Sequence, residues 1–151
     1  MFIEKEELKS AIYHYQVEEI TEADDDIVFM AIAAAEDEVK SYLKANNMKA
    51  WKDGRALYDA TAIFAMTGTA RNALILQHTK TIAVWNLVQL CNVDILFDQV
   101  KERYDRAITW LKQLNRGEIT IDLPLLPNTD ATTSTDVQPF RFNSRPKFNH
   151  E

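Results

Sequence analysis

The sequence predicts an all-α protein: a compact bundle of about four helices with a long middle loop and an extended, flexible C-terminal arm. Three observations carry this. All four prolines lie at or after Pro124, and a proline-free run over residues 1–123 suits helices, whose interior a proline breaks. Only three glycines occur, fewer than a many-turned sheet protein needs. Apolar residues recur at spacings of three and four in several long stretches, the spacing that places side chains on one helical face. At 151 residues, with 46% hydrophobic and 26% charged residues, the chain suits one soluble domain that buries about two thirds of its surface.

Residues 4–12 read as a short helix, with Leu8 and Ile12 one turn apart. Residues 13–20 are less periodic and are expected to be irregular. Thr21 with Asp24 three residues on resembles a capping box. Asp24, Asp25 and Asp26 then crowd a first turn, where the positive end of the helix dipole favours them. That helix is expected to reach about Lys44, with Ile27, Met30, Ala31, Ala34, Ala35, Val39, Tyr42 and Leu43 turned inward. Glu36 and Lys40, four apart, are expected to pair on its outer side.

Residues 45–72 carry turn signals at Asn46-Asn47, Asp53-Gly54 and Thr67-Gly68. Within them, residues 57–66 suit either a short helix or a buried extended piece. Residues 73–93 form the most apolar stretch, with Leu74, Ile75, His78, Ile82, Trp85 and Val88 on one face and further apolar residues on the others. Apolar on nearly all sides implies burial on nearly all sides, so this is the expected central helix. Residues 94–98 are expected to turn or kink. The last helix places Tyr104, Ala107, Ile108, Leu111 and Leu114 on one face and pairs Glu102 with Arg106 on the other. Burying those five side chains contributes about 8–12 kcal/mol before conformational entropy is subtracted. Arg116 followed by Gly117 reads as the stop, a cation in the last turn and a glycine at the left-handed position. The division expected is a helical domain over residues 1–123 and an arm over residues 124–151.

Charge separates the two parts. Residues 1–127 hold 14 Lys+Arg against 20 Asp+Glu, which accounts for the net charge of −6; residues 128–151 hold three of each. An acidic body argues against sequence-specific DNA binding, which depends on neutralising phosphates. The polar run NTDATTSTDVQPF lacks periodicity and reads as a linker. The end, FRFNSRPKFNHE, alternates aromatic and basic residues. Arg141, Arg145 and Lys147 with Phe140, Phe142 and Phe148 fit stacking on single-stranded nucleic acid, docking on an acidic neighbour such as another copy of the body, or a functionless end.

No catalytic constellation is legible. The aspartate cluster lacks the spaced oxygens and turn glycine of a calcium loop, so helix capping is the better reading. His14, His78 and His150 do not stand in a metal-ligand spacing, and no glycine-rich phosphate loop occurs. No enzyme activity, metal or cofactor is therefore expected. Cys91 sits in an apolar run and reads as a buried, inert thiol; alone, it cannot form an intramolecular disulfide, which is compatible with a reducing compartment. The acidic N-terminal residues do not suit a signal peptide, and the apolar runs are too short for a membrane span. Trp85 is expected in the core. Trp51 in the long loop and Trp110 beside the main stripe of its helix are either interface anchors or packing residues.

Two segments, TGTARNALILQHTKTIAVWNLVQL and KERYDRAITWLKQLNRGEITIDLP, resemble the small Mu-like prophage head-region family of phage head–tail connector, or neck, proteins. The resemblance extends to ITEADDDIVFMAIAAAEDEVKSYL and, more faintly, to RFNSRPKFNH. It implies a helical structural subunit at the virion neck, assembled in the bacterial host cytoplasm. Such a subunit forms a homo-oligomeric ring between the portal protein and tail or stopper proteins. DNA passes through the ring without sequence-specific recognition, and no membrane is involved. The alternative class is a cellular helical protein–protein binding module or regulator. A ring subunit calls for two separated, complementary surface patches, and a peptide binder for one apolar groove.

Overall fold

The computed structural model describes residues 1–47, 54–89 and 94–127, the first three of the last span by backbone alone. The described chain is all-α. A 3-10 helix, Lys5–Ser10, precedes α1 (His14–Thr21), α2 (Asp25–Lys44), α3 (Ala60–Ala65), a 3-10 turn at Gly68–Ala70, α4 (Ala73–Val88) and α5 (Asp94–Arg116). The bundle is centred on α4, which packs most extensively against α2 and α5.

Local chemistry sets the boundaries of α4. Asn72 caps it, its side-chain oxygen accepting from the backbone N–H groups of Leu74 and Ile75 at 3.0 and 3.2 Å, two donors that the first turn leaves unpaired. Ile75, Ile82, Ala83 and Leu87 are fully buried. Thr79 is buried with them, and its hydroxyl donates to the Ile75 carbonyl at 2.7 Å, so no polar atom is stranded. As expected, this is the central helix. Its run closes at Val88 rather than Val93.

On α5 the expected stripe is the observed one. Ala107, Ile108, Leu111 and Leu114 are buried, with Val100 added and Tyr104 half-buried. Glu102 pairs with Arg106 on the outer side. Where a kink was expected at residues 94–98, the helix already runs. Its end is a Schellman closure: Gly117 takes φ +76°, its N–H donates to the Leu114 carbonyl at 3.1 Å, and Glu118 N–H donates to Gln113 at 3.0 Å.

Three expectations are corrected. Residues 14–21 are helical, not irregular, with Val17 and Thr21 buried. Thr21 is not a cap: its hydroxyl donates to the Val17 carbonyl at 2.9 Å, and Asp24 caps α2 by accepting from Asp26 N–H at 2.9 Å. The inward face of α2 is Val28, Ala31, Ile32, Ala35, Val39 and Leu43, whereas Met30 and Ala34 point out. The period was legible but not its phase, because DIVFMAIAAA is apolar on all sides and offers two stripes of similar strength.

Glu36 is the fourth displacement. It pairs with Lys40 at 3.8 Å, yet it is buried rather than outside. Its Oε1 accepts the backbone N–H groups of Phe2 and Ile3 at 2.6 and 3.3 Å. The first residues are thereby drawn into the core, where Phe2 and Ile3 are almost fully buried and Phe2 packs on Phe64 with ring centres 4.6 Å apart. Arg71 locks them from the other side, donating to the Phe2 carbonyl at 2.6 Å and in bidentate fashion to Glu7. That guanidinium holds the Glu7 carboxyl down at about 2, against an ordinary 4.5.

The stretch left open between helix and extended chain is both. Tyr58 makes an isolated antiparallel bridge with Leu125, and α3 follows under an Asp59 cap. Asp59 N–H donates to Pro124 at 2.9 Å and Leu126 N–H to Leu57 at 2.8 Å. The chain thus stays on the body past Pro124, to Leu126.

Candidate assembly surface

A groove runs along the side of α4 that neither α2 nor α5 covers. Leu76, Lys80 and Thr81 of α4 face it, Arg103 and Ala107 of α5 form one wall, and Ser10 and Ala11 form the other. It encloses about 690 Å³. Past Ser10 and Arg103 it continues into a recess of about 370 Å³ bounded by Lys9, Tyr13 and Gln99. No carboxylate lines either part among the described residues. In a chain of net charge −6, Lys9, Lys80, Arg103 and Arg106 gather around one concavity. Arg106 is committed to Glu102, and Lys80 reaches the Ser10 hydroxyl at 3.3 Å. Arg103 has no ion-pair partner among the described residues and is exposed.

His78, which also lines the groove, belongs to an aromatic pair. His78 and Trp110 stack with ring centres 4.4 Å apart and an interplanar angle of 29°. Burial pushes the His78 imidazole below its ordinary 6.5, because desolvation disfavours the charged ring; it is neutral at pH 7. Further along α5, Trp85 stacks on Tyr104 at 5.2 Å. The Tyr104 hydroxyl donates to Glu38 at 2.9 Å, and burial first, then that carboxylate, push the phenol up to about 12. The two ring stacks join α5 to α4, and the Tyr104–Glu38 bond joins α5 to α2.

A second surface has the opposite character. Residues 10–39 contain nine Asp+Glu and no Lys or Arg. On α2, Asp26, Phe29, Met30, Ala33 and Asp37 fall on one face, opposite the buried stripe, and all are exposed. Met30 is 72% and Phe29 40% accessible. None of the groove's lining residues comes from α2, so the two surfaces lie on different sides of α4.

Of the residues singled out in the sequence, Trp110 is half-buried against His78, its outer edge bordering a shallow depression with Asp105 and Thr109. Trp51, Cys91, Arg141, Phe142, Arg145, Lys147 and Phe148 lie outside the described residues. Sequence reasoning missed Lys80, Arg103 and Tyr13. The available signal was charge segregation: residues 60–93 contain no Asp or Glu at all. Among the described residues no cluster of His, Cys, Asp and Glu is placed to hold a metal ion, and no helix is long and apolar enough to cross a membrane.

No curated protein and no solved structure matches the chain. A family model does: residues 69–138 match the family described as Bacteriophage Mu, Gp36. The match takes in α4 and α5, which form most of the groove, and leaves out the residues of α2 to which the resemblance also extends. Over this span the chain is similar to a Mu-like phage family.

Proposed function

We propose that this chain is a structural subunit of a phage or prophage particle: a head–tail connector that forms a ring between portal and tail or stopper proteins, with DNA passing through it. The observation that carries this reading is the similarity to the Mu Gp36 family across α4 and α5. Two features support it. A closed ring uses a heterologous contact, in which two different patches of one subunit meet on neighbours, and a cationic groove and an acidic, partly apolar helix face stand apart on this chain. A subunit with a net charge of −6 also gives passing DNA little to hold, since non-specific binding comes from neutralised phosphates. The cellular binding-module alternative has no comparable observation behind it, whereas residues 69–138 match a phage family.

Electron microscopy of particles from a host in which the gene is deleted tests the reading. DNA-containing heads without tails are expected, with tailed particles restored by the gene supplied in trans. Tailed infectious particles at normal yield without the gene would overturn it.

A further inference from the structure

We infer that the groove between α4, α5 and Ser10–Tyr13 receives the outward face of α2 from a second copy of this chain. The inference rests on the connector reading for its biological setting, but its physical content does not depend on it.

Complementarity selects the occupant. The groove offers Lys80 and Arg103 on its flanks, and exposed Tyr13, 69% accessible, at one end. The outward face of α2 offers Asp26 and Asp37 with Phe29 and Met30 between them, and Asp37 also receives Lys40 of its own helix at 3.2 Å. These two apolar side chains are large, adjacent and uncovered among the described residues, at 40% and 72% accessibility. A helix with one apolar stripe facing water is an unpartnered helix. The same stripe carries an acid on either side of the two apolar residues, opposite in sign to the only large cationic concavity described. Within one molecule the two surfaces cannot meet, because α4 lies between the groove and α2. Between molecules they meet head to tail, and each copy uses both surfaces. Such a contact propagates around a ring instead of closing a two-fold dimer.

Burial of Phe29 and Met30 would supply the apolar part of the contact. The flanking charges would set its register and encounter rate, with the salt sensitivity of partly exposed pairs. An acidic segment of another protein, or nucleic acid, would satisfy the cations alone and leave the Phe29–Met30 face uncovered.

The test uses the purified full-length chain with a benzophenone amino acid in place of Tyr13, irradiated at concentrations up to about 1 mM and mapped by mass spectrometry. The expected product is an intermolecular link to the peptide containing Phe29 and Met30. Lys80→Glu with Arg103→Glu should reduce that product at least about tenfold, as should Asp26→Lys with Asp37→Lys; all four changes in one chain should restore it. Asp26, Asp37 and Arg103 are exposed and Lys80 is half-buried, and an unchanged circular dichroism melt confirms that the variants fold. Absence of the intermolecular link, a link to any other surface, preferential capture of nucleic acid or another protein, or failure of the four-fold variant to restore the product would each overturn the inference. The two readings fail separately. Loss of the link with tailless particles in the gene deletion leaves the connector role standing without this contact. A confirmed link with normal particles in the deletion leaves the contact standing without that role.

Discussion

The carboxylate of Glu36, in the middle of α2, accepts the backbone N–H of Phe2 at 2.6 Å and of Ile3 at 3.3 Å. A helix side chain thus does for the chain's first residues what a neighbouring strand would do, satisfying two buried donors at once. Replacing Glu36 with alanine strands both N–H groups and is expected to cost about 2–4 kcal/mol. Glutamine keeps an acceptor oxygen at the same reach and is expected to cost well under half of that. Urea denaturation of both variants checks the ordering, and equal losses would show that the charge, not the hydrogen bonds, holds the terminus.

The junction between α1 and α2 is strained. Glu22 and Ala23 both take positive φ, +52° and +61°, a region where a Cβ crowds the following carbonyl at a cost of about 1–2 kcal/mol per residue. Glycine relieves the crowding but adds freedom to the unfolded chain. Ala23→Gly is therefore expected to stabilise the fold by a net ~0.5–1 kcal/mol, read as a higher thermal midpoint. An unchanged or lower midpoint would mean that the turn is held by contacts the glycine loosens.

What was legible in the sequence, and what was not, follows from how many solutions each local pattern admits. On α5 the apolar and charged residues alternate cleanly, so the buried stripe, the Glu102–Arg106 pair and the Gly117 stop were all readable. On α2 the run from Ile27 to Ala35 is apolar on every side, and periodicity alone cannot choose between the stripe through Val28 and Ile32 and the one through Met30 and Ala34. The deciding fact is tertiary: Glu36 must face inward to reach Phe2. Helix α1 was missed because its eight residues bury only Val17 and Thr21, too few to make a period. The groove was not readable as a pattern at all. Lys9, Lys80 and Arg103 are far apart along the chain, and only the packing of α4 brings them together.

Two groups make acid destabilise the fold in separate windows. His78 titrates below its ordinary 6.5 in the folded chain, so the unfolded chain takes up that proton first, and stability falls as pH drops below about 6.5. Glu7 sits at about 2 against an ordinary 4.5; its contribution is complete above 4.5 and is lost as pH falls from there toward 2. Thermal midpoints measured from pH 8 to pH 2.5 should therefore fall in two stages. His78→Phe, which retains a ring against Trp110, is expected to flatten the upper stage only, and Glu7→Gln the lower one only. An upper stage unchanged in His78→Phe would assign it to another group.

Residues 140–151 are expected to bear on assembly rather than on the fold. The described body closes on itself by Leu126, whose N–H donates to Leu57 at 2.8 Å. Leu123 is the last residue buried in the core among those described. Deleting residues 140–151 is therefore expected to leave the far-ultraviolet spectrum and the thermal midpoint unchanged. The same deletion removes Arg141, Arg145 and Lys147 from a chain whose residues 1–127 carry six more acids than bases, 20 against 14. If those cations engage the acidic body of a neighbour, the truncated chain should lower the yield of infectious particles by at least about tenfold. Arg141→Gln, Arg145→Gln and Lys147→Gln together should reproduce most of that loss, because such contacts act through charge on encounter and register. A normal yield from the truncation would sink the idea. A normal yield from the triple variant alone would instead assign the effect to Phe140, Phe142 and Phe148, which the truncation also removes.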